Sequence, residues 1–163
     1  MATTLAQEIF KRDPFNSLEQ EAFLNIMRTQ AQLTADVEEV LKTQGLSVAT
    51  YNVLRILRGA GNEGRMCHEI GKHMVTRVPD VTRLVDRLEK SGLATRDRCS
   101  KDRRVVHVRI SPKGEEVLRV LDEPVMQVHK EHLGHMTATQ LRELSDLLTI
   151  ARHKPVSAET SQL

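Results

Sequence analysis

Arg77-Val78-Pro79-Asp80-Val81-Thr82-Arg83-Leu84-Val85-Asp86-Arg87-Leu88-Glu89-Lys90-Ser91-Gly92 is the stretch on which the fold turns. A residue before proline is pushed out of the α region, and proline itself suits the first helical turn. A helix is therefore expected from about Pro79. Val81, Leu84, Val85 and Leu88 recur at helical spacing, and Ser91-Gly92 supplies the stop. Thr82, Arg83 and Arg87 are left for the other side of the helix, with Arg87 four residues beyond Arg83 on one face. Upstream, Ile70 and Met74 flank Gly71 on a shorter helix. Two short helices joined by a tight turn, the second one basic, read as a helix-turn-helix.

Downstream, the sequence RDRCSKDRRVVHVRI (96–110) changes character halfway, from dense charge to alternation. Val106, Val108 and Ile110 fall on one strand face, and Val105, His107 and Arg109 on the other. Ala94 to Arg98 is the matching strand, so the segment reads as a hairpin with its tip near Cys99, Ser100, Lys101 and Asp102. A helix-turn-helix inserts the start of its second helix into the major groove of DNA. A hairpin beside it lands near the flanking minor groove, whose negative potential attracts arginine. Lys101, Asp102, Arg103 and Arg104 are thus candidates for contact at the tip. Arg77, Pro79, Asp80, Thr82, Arg83 and Arg87 are the candidates on and before the helix.

Charge is distributed in keeping with that reading. Residues 77–109 hold ten Lys or Arg against five Asp or Glu, a local +5 in a chain of net +2, so the remainder carries −3. A basic middle within an acidic remainder suits a polyanion. Apolar residues make up 39% of the 163 and aromatics only 2%. Leucine, valine, isoleucine and methionine must therefore form the core. No apolar run has the length of a signal peptide or membrane span, and two cysteines are too few for a disulfide framework. The expectation is a cytoplasmic protein without membrane contact.

Helices surround this basic lobe. Ser17-Leu18-Glu19-Gln20 is a capping-box pattern, followed by a long apolar stripe (Phe23, Ile26, Met27, Leu33, Val37, Val40, Leu41) up to Gly45. Ser47 caps a helix carrying Tyr51, Val53, Leu54 and Leu57, which ends among Gly59, Gly61 and Gly64. Ser111-Pro112 opens another, and Pro124 is expected to kink or break it. Thr137-Ala138-Thr139-Gln140 is a second capping box and opens the last helix, with Leu141, Leu144, Leu147 and Leu148. The fold class expected is mainly α with a small β-hairpin wing. The long helices would bury their stripes best against a second copy of the chain.

VTRLVDRLEKSGLATR, followed by DRRVVHVRISPKG, resembles the MarR (multiple antibiotic resistance regulator) family of winged helix-turn-helix repressors. The family pattern runs T-x-x-V-D-x-L-E-x-x-G-L, then D-x-R and a strand, then L-T-x-x-G. This chain has Thr82, Val85-Asp86, Leu88-Glu89, Gly92-Leu93, Asp102-Arg103-Arg104 and Ile110-Ser111-Pro112-Lys113-Gly114 at those positions. The resemblance implies a single domain over 1–163, with dimerisation helices at 17–45 and 112–153 and a DNA-binding lobe at 47–111. It implies a homodimer on palindromic double-stranded DNA, acting as a repressor. Arg104 matches the wing arginine that enters the minor groove, and Asp102 the acid that orients it. Val78-Pro79-Asp80 departs from the Ser and Thr common there. Asp80 can accept from a cytosine amino group or orient Arg77 or Arg83.

The resemblance also implies a small phenolic or lipophilic effector. Leu41, Tyr51, Leu54, Met66, His68 and Met126 are the candidate lining, and all six suit a plain core as well. A redox role would fall on Cys99 among Arg96, Arg98 and Lys101, since cations favour thiolate. Cys67 reads as a small core residue. His129 and His132, at i and i+3, are the candidate zinc ligands, with His135 nearby. No cofactor is expected. No phosphate loop, nucleophile elbow or paired carboxylates suggest catalysis, so an enzyme is not expected. The contrasting reading is an interaction protein that keeps the fold without binding DNA.

Overall fold

The computed structural model describes residues 3–98 and 106–153. Its helices are α1 (Leu5–Glu8), α2 (Leu18–Lys42), α3 (Val48–Ala60), α4 (Cys67–His73), α5 (Val81–Lys90), α6 (Pro112–Leu133) and α7 (Ala138–Arg152). Strands β1 (Ala94–Arg98) and β2 (Val106–Ile110) pair antiparallel, with Ala94 opposite Ile110 and Arg98 opposite Val106. The element order is the one expected of a winged helix-turn-helix. The described residues divide after Val128 into two compact units.

The core of the first unit is aliphatic. Leu41 of α2, Val53, Leu54 and Leu57 of α3, Ile70 of α4, Val85 and Leu88 of α5, Val108 of β2 and Leu118 and Leu121 of α6 are fully or almost fully buried. Helices α2 to α6 and both strands thus contribute between one and three anchors each to a single cluster. On β2 only Val108 is fully buried, while Val106 and Ile110 are half-buried. Arg65 explains the depth of Val108. Its backbone pairs with Val108 in both directions, at 2.9 and 2.8 Å, adding a one-residue third strand to the hairpin. Gly64 makes that approach possible. It has φ +66°, and a Cβ there would lie 2.5 Å from the Val108 carbonyl oxygen.

Three local expectations are revised. Pro79 does not open the recognition helix. Asp80 is its N-cap, with the carboxylate accepting from the Arg83 amide at 3.0 Å, so the helix starts at Val81. A side chain that satisfies an orphan helix-start amide outweighs the preference of proline for the first turn. Pro124 does not break α6, which runs through it. Proline removes one donor, but Leu121, Val125 and Val128 on either side are buried and hold the helix in place. At the start of α2, Ser17 accepts from the Gln20 amide, but Gln20 reaches back to the Asn16 amide instead of that of Ser17. The box at Thr137 closes as expected, with Gln140 accepting from the Thr137 amide.

Candidate nucleic-acid interface

Recognition requires a helix held firmly on one side and bare on the other. Val85 and Leu88 bury the inner side of α5. Thr82, Arg83 and Arg87 are exposed, as are Arg77, Pro79 and Asp80 ahead of the helix. These six predicted residues therefore share one solvent-facing run. Arg83, Arg87 and Lys90 line an open groove of about 560 Å³ along α5, together with Asp86 and Ser91. The second Asp80 oxygen lies 3.4 Å from the Arg83 side chain, so the cap also steers that guanidinium. The turn ahead of α5 is pinned from below, because the Val75 amide donates to Asn52 of α3 at 2.9 Å. Gly71 of α4 lets the two short helices meet, with Val81 in van der Waals range of where its Cβ would stand.

The base of the hairpin is locked to the end of α5. The Ser111 hydroxyl donates to the Gly92 carbonyl at 2.6 Å and accepts from the Gly114 amide at 3.0 Å. Lys113 donates to the Ser91 carbonyl at 2.9 Å. Gly114 sits against the Leu93 carbonyl oxygen, which would be 2.3 Å from a Cβ. The Ser111-Pro112-Lys113-Gly114 motif is thus the joint between wing, helix α5 and helix α6. The wing-tip residues Lys101, Asp102, Arg103 and Arg104, and Cys99 beside them, lie outside the described residues.

Two arginines missed in the sequence reading organise the site from behind. Arg96 on β1 reaches Asp86 at 2.5 Å and Glu89 at 2.9 Å, both on α5. Arg109 on β2 donates to the Asn62 carbonyl at 2.6 Å and pairs with Asp97 across the hairpin. The only sequence cue was Asp86 and Glu89 at i and i+3, one turn of helix facing a strand arginine. A third pair, Arg58 of α3 with Asp122 of α6, is bidentate at 2.8 Å on each arm.

The remaining candidates fall elsewhere. Leu41 and Leu54 are core residues, and Tyr51 packs against that core. Met66 donates its amide to Glu69 at 2.8 Å at the start of α4, with exposed His68 between them. Met126 is half exposed on α6. Cys67 is a half-buried free thiol packed against the core. His129 and His132 lie on the last turns of α6. Among the described residues no three His, Cys, Asp or Glu side chains gather as a metal site. No described helix is long and apolar enough to cross a membrane.

A buried-sided, basic helix after a short partner helix, joined to a two-stranded wing, defines a winged helix-turn-helix of the kind that engages duplex DNA. The MarR family model matches residues 46–106, from just ahead of α3 to the first residue of β2. The transcriptional repressor MprA of Escherichia coli strain K12 is 30% identical over 121 residues, covering 74% of this chain and 69% of that protein. A MarR transcription factor from Planctomyces limnophilus is 41% identical, with a TM-score of 0.64, covering 84% of this chain and 99% of its own. Sco3205 of Streptomyces coelicolor, a MarR-family regulator solved in complex with DNA, shares the fold with a TM-score of 0.77 at 19% identity, over 91% of this chain and 96% of its own. This chain belongs to the MarR family of transcriptional regulators.

Proposed function

We propose that the protein is a homodimeric, effector-responsive repressor, acting without catalysis in the cytoplasm on palindromic duplex DNA. In this reading α5 enters the major groove with Thr82, Arg83 and Arg87. Arg77, Pro79 and Asp80 lie at its entry, and Lys101, Asp102, Arg103 and Arg104 reach the adjacent minor groove. The observation that carries it is the α5 groove, where three cations stand bare to solvent on a helix whose other side is locked into the core. Such a surface has little structural purpose and suits phosphate and base edges. The exposed Phe23, Ile26 and Met27 of α2 support a second copy of the chain as partner. Residues 17–45 and 112–153 are the proposed dimerisation helices and 47–111 the DNA-binding lobe.

The test is fluorescence anisotropy of the protein on the DNA upstream of its own coding region, with a scrambled duplex and a salt series. Tight binding that prefers the upstream sequence and falls steeply with salt is expected. Equal, weak and salt-insensitive binding to both duplexes refutes the reading in favour of an interaction protein. Small phenolic acids added to the bound complex then test the effector. A ligand that acts must bind the DNA-incompetent arrangement more tightly.

A further inference from the structure

We infer that Arg96 is a positioning residue that holds the wing in register with the recognition helix, so that its loss costs sequence discrimination more than general DNA affinity. This rests on the DNA-binding reading above. Arg96 is on β1 and touches two carboxylates one turn apart on α5, Asp86 at 2.5 Å and Glu89 at 2.9 Å. Its side chain is only 26% exposed, and its guanidinium is engaged by these two carboxylates. One planar guanidinium bonded to two residues of a helix fixes both the rotation of that helix and its distance from the strand. A lysine, being a point charge, cannot reproduce this.

The placement of Arg96 makes the coupling consequential. Opposite it in the hairpin is Val108, the deepest residue of β2, so the arginine stands on the most firmly anchored rung of the wing. Arg109, one residue on, ties the same hairpin to the Asn62 carbonyl and to Asp97. The wing is thus tethered to α5 on one side and to the turn after α3 on the other. Major-groove and minor-groove contacts add only when helix and wing are spaced correctly. Phosphate contacts tolerate a small error and base contacts do not. A second effect runs alongside, because Arg96 neutralises two acids on a helix expected to approach phosphate. The experiment must separate the two.

The proteins compared are wild type, Arg96→Met, Arg96→Lys and the triple variant Arg96→Met with Asp86→Asn and Glu89→Gln. Each is titrated against a duplex that the wild type selects from a random pool and against a scrambled duplex of equal composition. Arg96→Met is expected to lose about tenfold or more on the selected duplex and less than about twofold on the scrambled one, with an unchanged salt slope. Arg96→Lys is expected to fall between. The triple variant restores charge balance without the clamp, and is expected to stay as poor at discrimination as Arg96→Met. Equal loss on both duplexes, or recovery in the triple variant, would overturn positioning in favour of simple neutralisation. A DNA-free arm uses hydrogen exchange of the same proteins. Faster exchange confined to α5 and β1, with α2 unaltered, is expected in Arg96→Met, and unchanged exchange there refutes the clamp. If the wild type selects no sequence, the DNA reading fails, and the exchange arm still decides whether Arg96 holds the helix.

Discussion

Asp80 combines two demands that pull in opposite directions. Its carboxylate caps α5 by accepting from the Arg83 amide, which favours an acid at a helix N-terminus. The same negative charge stands at the entry to a surface proposed to meet phosphate. Asp80→Asn keeps the acceptor and removes the charge, so it should tighten binding to duplex DNA by anisotropy while changing thermal stability little. Asp80→Ala removes the cap and should cost about 1 kcal/mol in urea unfolding. Gly114 poses a steric demand instead. An alanine Cβ would stand 2.3 Å from the backbone oxygen of Leu93, which has no rotamer by which to yield. Gly114→Ala should therefore destabilise by about 1–3 kcal/mol, read as a lowered urea midpoint at unchanged slope. The motif containing Gly114 could be read from the sequence, but not why it must be glycine, since the Leu93 carbonyl lies twenty-one residues away in the chain. The Asp80 cap was legible in principle, and the neighbouring Val78-Pro79 pointed two residues too early.

Elements in this protein are joined by arginine side chains that reach from one element to the next. Arg58 and Asp122 tie α3 to α6, Arg96 ties β1 to α5, and Arg109 closes the hairpin onto the turn after α3. Arg58 and Asp122 are 64 residues apart, and Arg109 and Asn62 are 47 apart, so no periodicity announces them. Helices and strands were legible because their apolar spacing is local. The pairs that set the angles between them were not. The Arg58 pair makes a pH prediction. Hydrogen bonds from Arg58 hold the Asp122 carboxyl below its ordinary range, against the opposing effect of partial burial. A carboxyl depressed in the folded state adds stability above its unfolded pKa, and that stability is lost as pH falls through the folded value. Asp122 is 43% exposed, so solvent screens the pair and its contribution at neutral pH is about 1 kcal/mol or less. Asp122→Asn should be slightly less stable than wild type at pH 6. The two unfolding curves should converge as pH drops below about 4. A gap that does not narrow as pH falls would show that packing, and not charge, is what the variant disturbs.

For the molecule as a whole, the informative feature is apolar surface left bare. A chain with 39% apolar residues and few aromatics can bury a small lobe well, and the cluster from Leu41 to Val125 does so. Yet Phe23, Ile26 and Met27 on α2 are 62, 43 and 54% exposed, and Leu147 and Ile150 on α7 are 63 and 69% exposed. The sequence pattern had already marked α2 as too long and too apolar on one side for a lobe of this size. Which surface covers it is not written in one chain when the proposed partner is a second copy. If α2 forms the dimer contact, each of these side chains loses about 1.5–3 kcal/mol of burial when replaced by a charge. Phe23→Glu with Ile26→Glu should then shift sedimentation equilibrium towards the monomer. The lobe should stay folded, because neither residue belongs to its core. A palindromic duplex binds two lobes held at fixed spacing, so the monomeric variant should lose affinity for it far more than for a single half-site. Retention of the dimer in this variant would move the contact away from α2. Monomers that still bind the full palindrome as tightly as wild type would show that the two lobes act independently, and would remove symmetry from the account of recognition.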